Sequence, residues 1–172
     1  MKVFLDMAIS PNGYIAREDG DEDWLPSEGW DEFLELSKVF NNIVMGRETY
    51  EQVTNRYIDY NFNNVECEFK IIVTKNKQFD APVGYTIVHS PEEAIQFVNS
   101  KGMDELFLIG GGKLNSEFIK RRLVNEIRLT ITPYIIGKGR SFIGTEDFDL
   151  PLELVGHKEL SKGRVQLIYK VV

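Results

Sequence analysis

The chain has 172 residues, of which 42% are hydrophobic and 27% charged, and its formal charge at pH 7 is -7. A chain of this length buries about two-thirds of the surface that its unfolded form exposes, so it needs neither a disulfide nor a structural metal to fold. Its single cysteine, Cys67, excludes an internal disulfide, and neither histidine has a neighbouring cysteine that would indicate a zinc site. The acidic balance argues against a nucleic-acid partner, which usually meets a basic surface.

The sequence also argues against export and membrane insertion. Asp6 interrupts the first apolar residues before the core of a signal peptide could form, and no apolar run approaches the roughly 18 residues of a membrane span. No low-complexity tract or internal repeat divides the chain. We therefore expect one cytoplasmic domain over residues 1–172, with no membrane partner and no metal.

Short apolar runs of strand length alternate with segments of helical period along the first two thirds of the chain. The predicted strands are 3–9, 42–45, 70–74, 85–88 and 106–109, and the predicted helices are 29–40, 48–55, 91–102 and 113–122. Ser90, Pro91 and Glu93 form a capping box at the start of the third helix. Alternation of this kind predicts a mostly parallel sheet that is covered by helices on both faces.

After Arg122 the pattern changes to an alternation of apolar and polar residues with a period of two. It runs through 126–133, and the segments 152–159 and 165–171 are typical of a strand pair around a short turn. These C-terminal strands are predicted to form an antiparallel edge. The expected fold class is therefore α/β, with a mostly parallel central sheet, antiparallel C-terminal strands and helices on both faces.

The strongest local signal is a strand that runs into Gly110, Gly111 and Gly112 and then into a helix beginning with Lys113 and Leu114. Glycines at such a junction let backbone N–H groups approach a phosphate, and the helix N-terminus adds partial positive charge. An ordinary strand-to-helix turn is the alternative interpretation, and three successive glycines favour the phosphate site. The spacing is not that of a dinucleotide fingerprint, which needs G-x-G-x-x-G.

Two further strand ends carry groups that suit an anion. These groups are Gly46, Arg47 and Thr49 after one strand, and Thr74, Lys75 and Asn76 after the next. Either cation alone is typical of a solvated surface charge. Because ligands of open parallel sheets bind at the carboxyl ends of the strands, three such ends together indicate an extended ligand with several phosphates, such as a nucleotide cofactor.

Five motifs follow one another along the chain, namely SPNGYIA at 10–16, DWLP at 23–26, VMGRETY at 44–50, IGGGKL at 109–114 and PYIIGKGRSF at 133–142. In this order they resemble the dihydrofolate reductase superfamily, and most closely the reductase domain of riboflavin biosynthesis. The resemblance covers nearly the whole chain and implies a three-layer dihydrofolate reductase-like fold. The zinc deaminase that is often fused to the riboflavin enzymes has no counterpart here, so a stand-alone reductase is implied.

The resemblance implies NADPH as the cofactor at these strand ends. It implies that the segment from Gly46 to Thr49 and the glycine turn hold the diphosphate, and that a cis peptide bond lies within that turn, between Gly110 and Gly111. Arg47 and Lys75 would supply charge for the adenosine 2′-phosphate.

The nicotinamide end is also implied by the resemblance. Ala8, Ile15 and Ala16 would border the nicotinamide, and residues 14–26 would form a mobile loop that closes over it. Within that loop, Trp24 is expected either to cap the substrate pocket or to serve as a packing anchor.

Two carboxylates are candidates for the acid that supplies a proton with the hydride. Asp31 is nearest by spacing to the helix carboxylate of folate reductases, although a solvated acidic face is the alternative. Asp6 shares a strand face with Ala8, so it is expected to face the same pocket and to contact the substrate or assist proton transfer. An acid exposed at an edge is the alternative for Asp6. Riboflavin-pathway reductases commonly have a lysine at the position of Asp6.

The predicted function is hydride transfer from NADPH to a small heterocyclic or ribosylaminopyrimidine-type substrate, resembling 5-amino-6-(5-phosphoribosylamino)uracil reductase. Dihydrofolate is disfavoured because the arginine that holds its tail is missing, and Glu66 and Glu68 stand there instead. Dihydrofolate reductase activity, a non-catalytic NADPH-binding module and a non-redox enzyme of phosphate ligands are the alternatives. The resemblance also implies a homodimer.

Overall fold

Strands and helices alternate along the chain, as the apolar pattern predicts. The computed structural model describes residues 1–58, 60–80, 82–144 and 147–172. The strands are β1 (Lys2–Ile9), β2 (Tyr14–Arg17), β3 (Asn42–Gly46), β4 (Phe69–Val73), β5 (Tyr85–Val88), β6 (Glu105–Leu108), β7 (Glu126–Ile131), β8 (Gly139–Ser141), β9 (Leu152–Glu159) and β10 (Val165–Val171). The helices are α1 (Glu28–Phe40), α2 (Arg47–Arg56), α3 (Pro91–Ser100) and α4 (Gly112–Lys120).

Eight of the strands form one sheet in the order β5-β4-β3-β6-β1-β7-β10-β9. All neighbours from β5 to β7 are parallel, whereas β10 is antiparallel to both β7 and β9. The antiparallel edge therefore starts one strand later than expected, because β7 pairs in parallel with β1 through the register Asp6↔Arg128. The predicted α/β class with antiparallel C-terminal strands is confirmed.

Both faces of the sheet are covered by buried apolar side chains. On one face Leu5, Leu106 and Val44 pack with Val98 of α3 and Phe118 of α4. The other face carries a second cluster in which strand residues pack with residues of α1 and α2, including Phe4, Ile43, Phe107, Phe40 and Val53. Each buried side chain of this size stabilises the fold by roughly 1.5–3 kcal/mol, so the layers are held mainly by these contacts.

Strands β2 and β8 pair with each other in a separate two-stranded sheet, which the sequence pattern does not predict. Their register joins Tyr14 to Ser141 and Arg17 to Gly139. The expected mobile loop at 14–26 is therefore wrong in its first four residues, since hydrogen bonds to β8 hold them in a strand. None of the described helices is long and apolar enough to cross a lipid bilayer.

Candidate functional site

A cleft of about 980 Å³ opens where β3, β4 and β6 end and α2 and α4 begin. It collects most of the residues that were predicted to bind a cofactor, namely Ile15, Ala16, Gly46, Arg47, Thr49, Thr74, Lys75, Asn76, Gly111, Gly112, Lys113 and Leu114. Two of the predicted residues lie elsewhere. Ala8 lines a neighbouring cavity, and Gly110 lines neither space but accepts a 2.8 Å hydrogen bond from the Gly46 N–H.

The N-termini of α2 and α4 meet at this cleft, and neither has a side-chain cap. Backbone N–H groups at such helix starts lack intrahelical partners and carry partial positive charge, which suits a phosphate. The chain has no room for side chains here, because a Cβ on Gly111 would lie 2.9 Å from Thr49 Oγ1 and one on Gly112 would overlap the Ser141 carbonyl. The peptide bond between Gly110 and Gly111 is cis, which confirms the expectation from the resemblance.

Each predicted cation of the cleft is in place and is paired with a nearby acid. The pairs are Arg47–Glu51 at 3.0 Å, Lys75–Glu117 at 3.1 Å and Lys113–Glu48 at 2.8 Å. The side chains of Lys75 and Lys113 are each 83% exposed. Exposed ion pairs contribute only about 0–1 kcal/mol, so a phosphate can compete for these ammonium groups.

Three further basic residues of the cleft were missed by the sequence reasoning. Arg140 bonds the Glu18 carbonyl, Arg121 pairs with acids on α3 and α4, and His89 lies with Nδ1 2.8 Å from the Thr74 carbonyl. A signal existed for two of them. Arg140 belongs to the last of the five motifs, and His89 directly follows β5, which is one more strand ending at the same edge of the sheet.

A second cavity of about 370 Å³ lies beside the cleft, between β1, β7 and α1. It is walled at one end by Trp30, Phe33, Tyr60 and Phe62. The two spaces are adjacent, since six residues line both of them, namely Met7, Ile15, Glu22, Thr49, Val53 and Ile109. A ligand in the cleft and a ligand in the cavity would meet at these shared residues.

Asp6 lines this cavity together with Ala8, so the expected common strand face is confirmed. Its Oδ2 atom is buried and has no hydrogen-bond partner among the described residues. Burial raises the pKa of Asp6 to about 7, against the opposing charge of Arg128 on the neighbouring strand. Arg128 itself is paired with Glu126 at 2.6 Å. Asp6 therefore holds a proton below about pH 7 and faces open space with an unsatisfied oxygen.

Asp31 does not reach the cavity, and the expectation that it acts there is corrected. It is exposed, whereas Gly29, Glu32, Phe33 and Leu36 of the same helix line the cavity. These positions follow the i, i+3, i+4, i+7 spacing of one helix face, and Asp31 points away from that face. The carboxylate that α1 brings to the cavity is that of Glu32.

Trp24 does not line either space, which favours the packing interpretation over the pocket cap. Its side chain is buried, and its ring lies 6.1 Å from that of Tyr134, measured between centroids. A residue two positions earlier does line the site. Glu22 borders both spaces, and burial, followed by the charge of Asp21, raises its pKa to about 7. Nothing in the local sequence distinguishes Glu22 from the other acids of this acidic segment.

Comparison with known proteins agrees with this geometry. A family model described as the RibD C-terminal domain matches residues 1–166. The uncharacterized protein YyaP of Bacillus subtilis (strain 168) is 28% identical over 181 residues, which cover 98% of this chain and 94% of that protein.

Two solved structures show the same fold. A putative riboflavin biosynthesis protein from Shewanella sp. PV-4 has a TM-score of 0.82 at 24% identity, over 100% of this chain and 99% of its own. Dihydrofolate reductase from Enterococcus faecalis, complexed with NADP(H) and RAB-propyl, has a TM-score of 0.73 at 19% identity, over 99% of this chain and 96% of its own. The fold is therefore dihydrofolate reductase-like.

Proposed function

Because the chain belongs to the RibD C-terminal domain family, we propose that it is a reductase that transfers a hydride from NADPH to a small nitrogen heterocycle. The observation that carries the proposal is the adjacency of the two spaces. A cleft with two uncapped helix N-termini and several cations lies against a cavity lined by Asp6, whose buried Oδ2 atom has no partner among the described residues. That arrangement joins a place for a phosphate-bearing cofactor to a place for a reducible ring.

The residues of the cleft fit NADPH. The starts of α2 and α4 would hold the diphosphate, and the glycine turn leaves the space that a side chain would fill. Lys75 and Arg121 line the cleft and pair with the same carboxylate, Glu117, so together they would supply positive charge for the 2′-phosphate of NADPH. The cofactor supplies the hydride from its reduced nicotinamide. The fold shared with a dihydrofolate reductase complexed with NADP(H) supports this assignment.

The chain's own residues would orient the substrate and supply a proton. Ile15 and Thr49 lie at the junction of the two spaces and would set the approach of one ring to the other. Asp6 holds a proton near neutral pH, and it faces the cavity where the acceptor nitrogen would stand. A positioned acid of this kind typically contributes about 10²–10⁴-fold to the rate.

The family resemblance points to a substrate of the type of 5-amino-6-(5-phosphoribosylamino)uracil. The fold shared with a putative riboflavin biosynthesis protein supports a role in that chemistry. The aromatic wall formed by Trp30, Phe33 and Phe62 favours a flat ring.

Cofactor binding and turnover should be measured separately. We expect NADPH to quench the tryptophan fluorescence of the protein and to bind more tightly than NADH. We also expect NADPH to be oxidised in the presence of at least one compound of a panel of aminopyrimidines, pteridines and quinones. NADPH binding without turnover across the panel would indicate a non-catalytic module instead. Absence of NADPH binding would reject the proposal and favour a non-redox enzyme of phosphate ligands.

A further inference from the structure

The two spaces differ in the charge that they offer to a ligand. The cleft is lined by several cations, whereas the described residues of the cavity contribute four acids and one arginine. These five are Asp6, Glu22, Asp23, Glu32 and Arg164. The four residues outside the described ranges are Asp59, Ala81, Thr145 and Glu146, and none of them carries a positive charge. Among the described residues that line the cavity, Arg164 is therefore the only cation that could meet an anionic substrate there, and Arg17 at its edge is paired with Asp23.

Arg164 is already hydrogen-bonded to Glu32 and Ser161. It is 2% exposed, and its guanidinium donates to both carboxylate oxygens of Glu32 at 2.8 and 2.9 Å. It also donates to the Ser161 carbonyl at 3.0 Å and to the Ser161 hydroxyl at 3.1 Å. A bidentate pair satisfies the geometry of both groups, and separating it would leave the buried Arg164 cation without a counter-charge, since Glu32 is the partner that is 40% exposed. A phosphate in the cavity would have to displace Glu32 to reach this cation.

Two buried polar atoms of the cavity wall have no partner among the described residues; the carboxylate oxygen needs a donor, whereas the threonine hydroxyl can donate or accept. They are Oδ2 of Asp6 and Oγ1 of Thr132, whose residue is only 5% exposed. A carboxylate oxygen needs a donor, which a ring N–H or an exocyclic amine supplies. A phosphate at neutral pH offers mostly acceptor oxygens, so it satisfies the Asp6 carboxyl poorly, and above about pH 7, where Asp6 is ionised, its charge would also be repelled by that carboxylate.

From these contacts we propose that the cavity takes a flat nitrogen heterocycle that presents N–H groups to Asp6 and Thr132 and carries neither phosphate nor carboxylate. The proposal rests on the reductase function proposed above, and it specifies the substrate class. It departs from the phosphoribosyl substrate that the family resemblance implies.

The test compares ligands that differ only in a phosphate. The pairs are 5-amino-6-(ribitylamino)uracil with its 5′-phosphate, and riboflavin with its 5′-phosphate. Each compound is titrated calorimetrically into protein saturated with NADP⁺, so that phosphate binding in the cleft does not contribute. We expect the unphosphorylated member to bind at least about tenfold more tightly in each pair that binds. Equal or tighter binding of the esters, or no binding of either unphosphorylated compound, would overturn the proposal.

Glu32→Gln tests the reason for this preference. It leaves Arg164 without its counter-charge, so we expect the ester to gain at least about tenfold in affinity relative to its unphosphorylated partner. Glu35→Gln is the matched control, because it makes the same change on an exposed face of the same helix, away from the cavity. If Glu32→Gln has a normal melting temperature and the same ratio of affinities for the unphosphorylated ligand and its ester as the wild type, Glu32 does not set the preference against phosphate.

A second variant keeps the test decisive if Glu32→Gln does not fold. At pH 8, where Asp6 is ionised, Asp6→Asn should weaken the binding of the unphosphorylated ligands and narrow the ratio of their affinity to that of the phosphate esters, since the charge that repels phosphate is gone. If the ratio of affinities for the unphosphorylated ligand and its ester is the same in Asp6→Asn as in the wild type, the proposal is rejected. If NADP⁺ does not bind, the proposed reductase function is rejected. The same titrations on the protein without NADP⁺ would then still show whether the cavity prefers unphosphorylated ligands.

Discussion

At the scale of single residues, Asp6 combines burial, an unpaired oxygen and a position beside the junction of the two spaces. The strand on which it lies places Leu5 in the core on the opposite face, so the carboxyl group cannot turn away to solvent. Its pKa of about 7 follows chiefly from burial. The proposed proton donor is therefore half protonated near neutral pH without a neighbouring carboxylate as the main cause.

The first prediction concerns the pH dependence of turnover. If Asp6 is the proton donor of the proposed reaction, kcat of the wild-type protein should fall about tenfold per pH unit above pH 7, because the protonated form of Asp6 would be the active one. Asp6→Asn should lower kcat by about 10²-fold or more and remove this limb of the profile. NADPH affinity should not change, which stopped-flow fluorescence would show. A variant that keeps both the rate and the profile would reject Asp6 as the donor.

The second prediction concerns stability. Burial raises the folded-state pKa of Asp6 to about 7 from an ordinary value of 3.8, so the folded protein binds more protons than the unfolded chain between these two values. The contribution of this group to the free energy of unfolding is then full below about pH 4 and is lost as the pH rises to about 7. Asp6→Asn should therefore melt at a higher temperature than the wild type at pH 8, with a difference that shrinks toward pH 4. Scanning calorimetry measures this, and a constant difference would contradict it.

Some site residues could be predicted from the sequence and others could not. Strand alternation has a period of two, so the shared face of Asp6 and Ala8 could be derived from the sequence. Helix α1 turns by about 100° per residue, so an error of one position exchanged Glu32 for the exposed Asp31. Arg164 could not be found at all, because its burial depends on Glu32, which is 132 positions away in the chain.

At the scale of elements, the strand-to-helix junctions were the best predicted part of the molecule. Each junction could be recognised from a few consecutive residues, namely an apolar strand followed by glycine or by a hydroxyl and a cation. The structure brings these strand ends to one cleft. Strands β2 and β8 were missed for the opposite reason. They have four and three residues, and they depend on the close approach of Gly139 to the Ala16 carbonyl, which no local pattern reports.

A pair of glycine variants tests the junction of α2 and α4. In Gly111→Ala the new methyl group would stand 2.9 Å from Thr49 Oγ1, so Thr49 must move within the shared wall. We expect NADPH affinity to fall at least about tenfold. Gly137→Ala is the control, because nothing lies within 4 Å of its added Cβ. Equal affinities for NADPH in the two variants, measured by calorimetry, would show that the turn does not shape the binding site.

At the scale of the whole molecule, β9 is the part of the sheet that the rest of the chain leaves uncovered. It is an edge strand, and all its residues except Gly156 are exposed. Apolar side chains stand there in the open, since Leu152, Leu154 and Val155 are 40%, 54% and 52% exposed. An apolar edge of this length is a typical site for pairing with another chain. We propose that the homodimer implied by the family resemblance forms along β9.

Light scattering after gel filtration tests this assembly. The wild type should elute as a dimer, and Val155→Glu should shift the equilibrium to the monomer by placing a charge in the proposed interface. Val39→Glu makes the same substitution at a position of α1 that is 78% exposed, and it should leave the dimer intact. A monomeric wild type, or dissociation by both variants alike, would reject β9 as the interface.

The order of the strands has a consequence for translation. Strands β3, β4 and β5 pair with segments that are near in sequence, so they can associate as they leave the ribosome. Strand β1 lies in the middle of the sheet, but its partners are residues 105–108 and 126–131. It must therefore wait, with an apolar stretch exposed, until more than half of the chain has been synthesised. This interval is when a nascent chain of this protein would be most prone to aggregate.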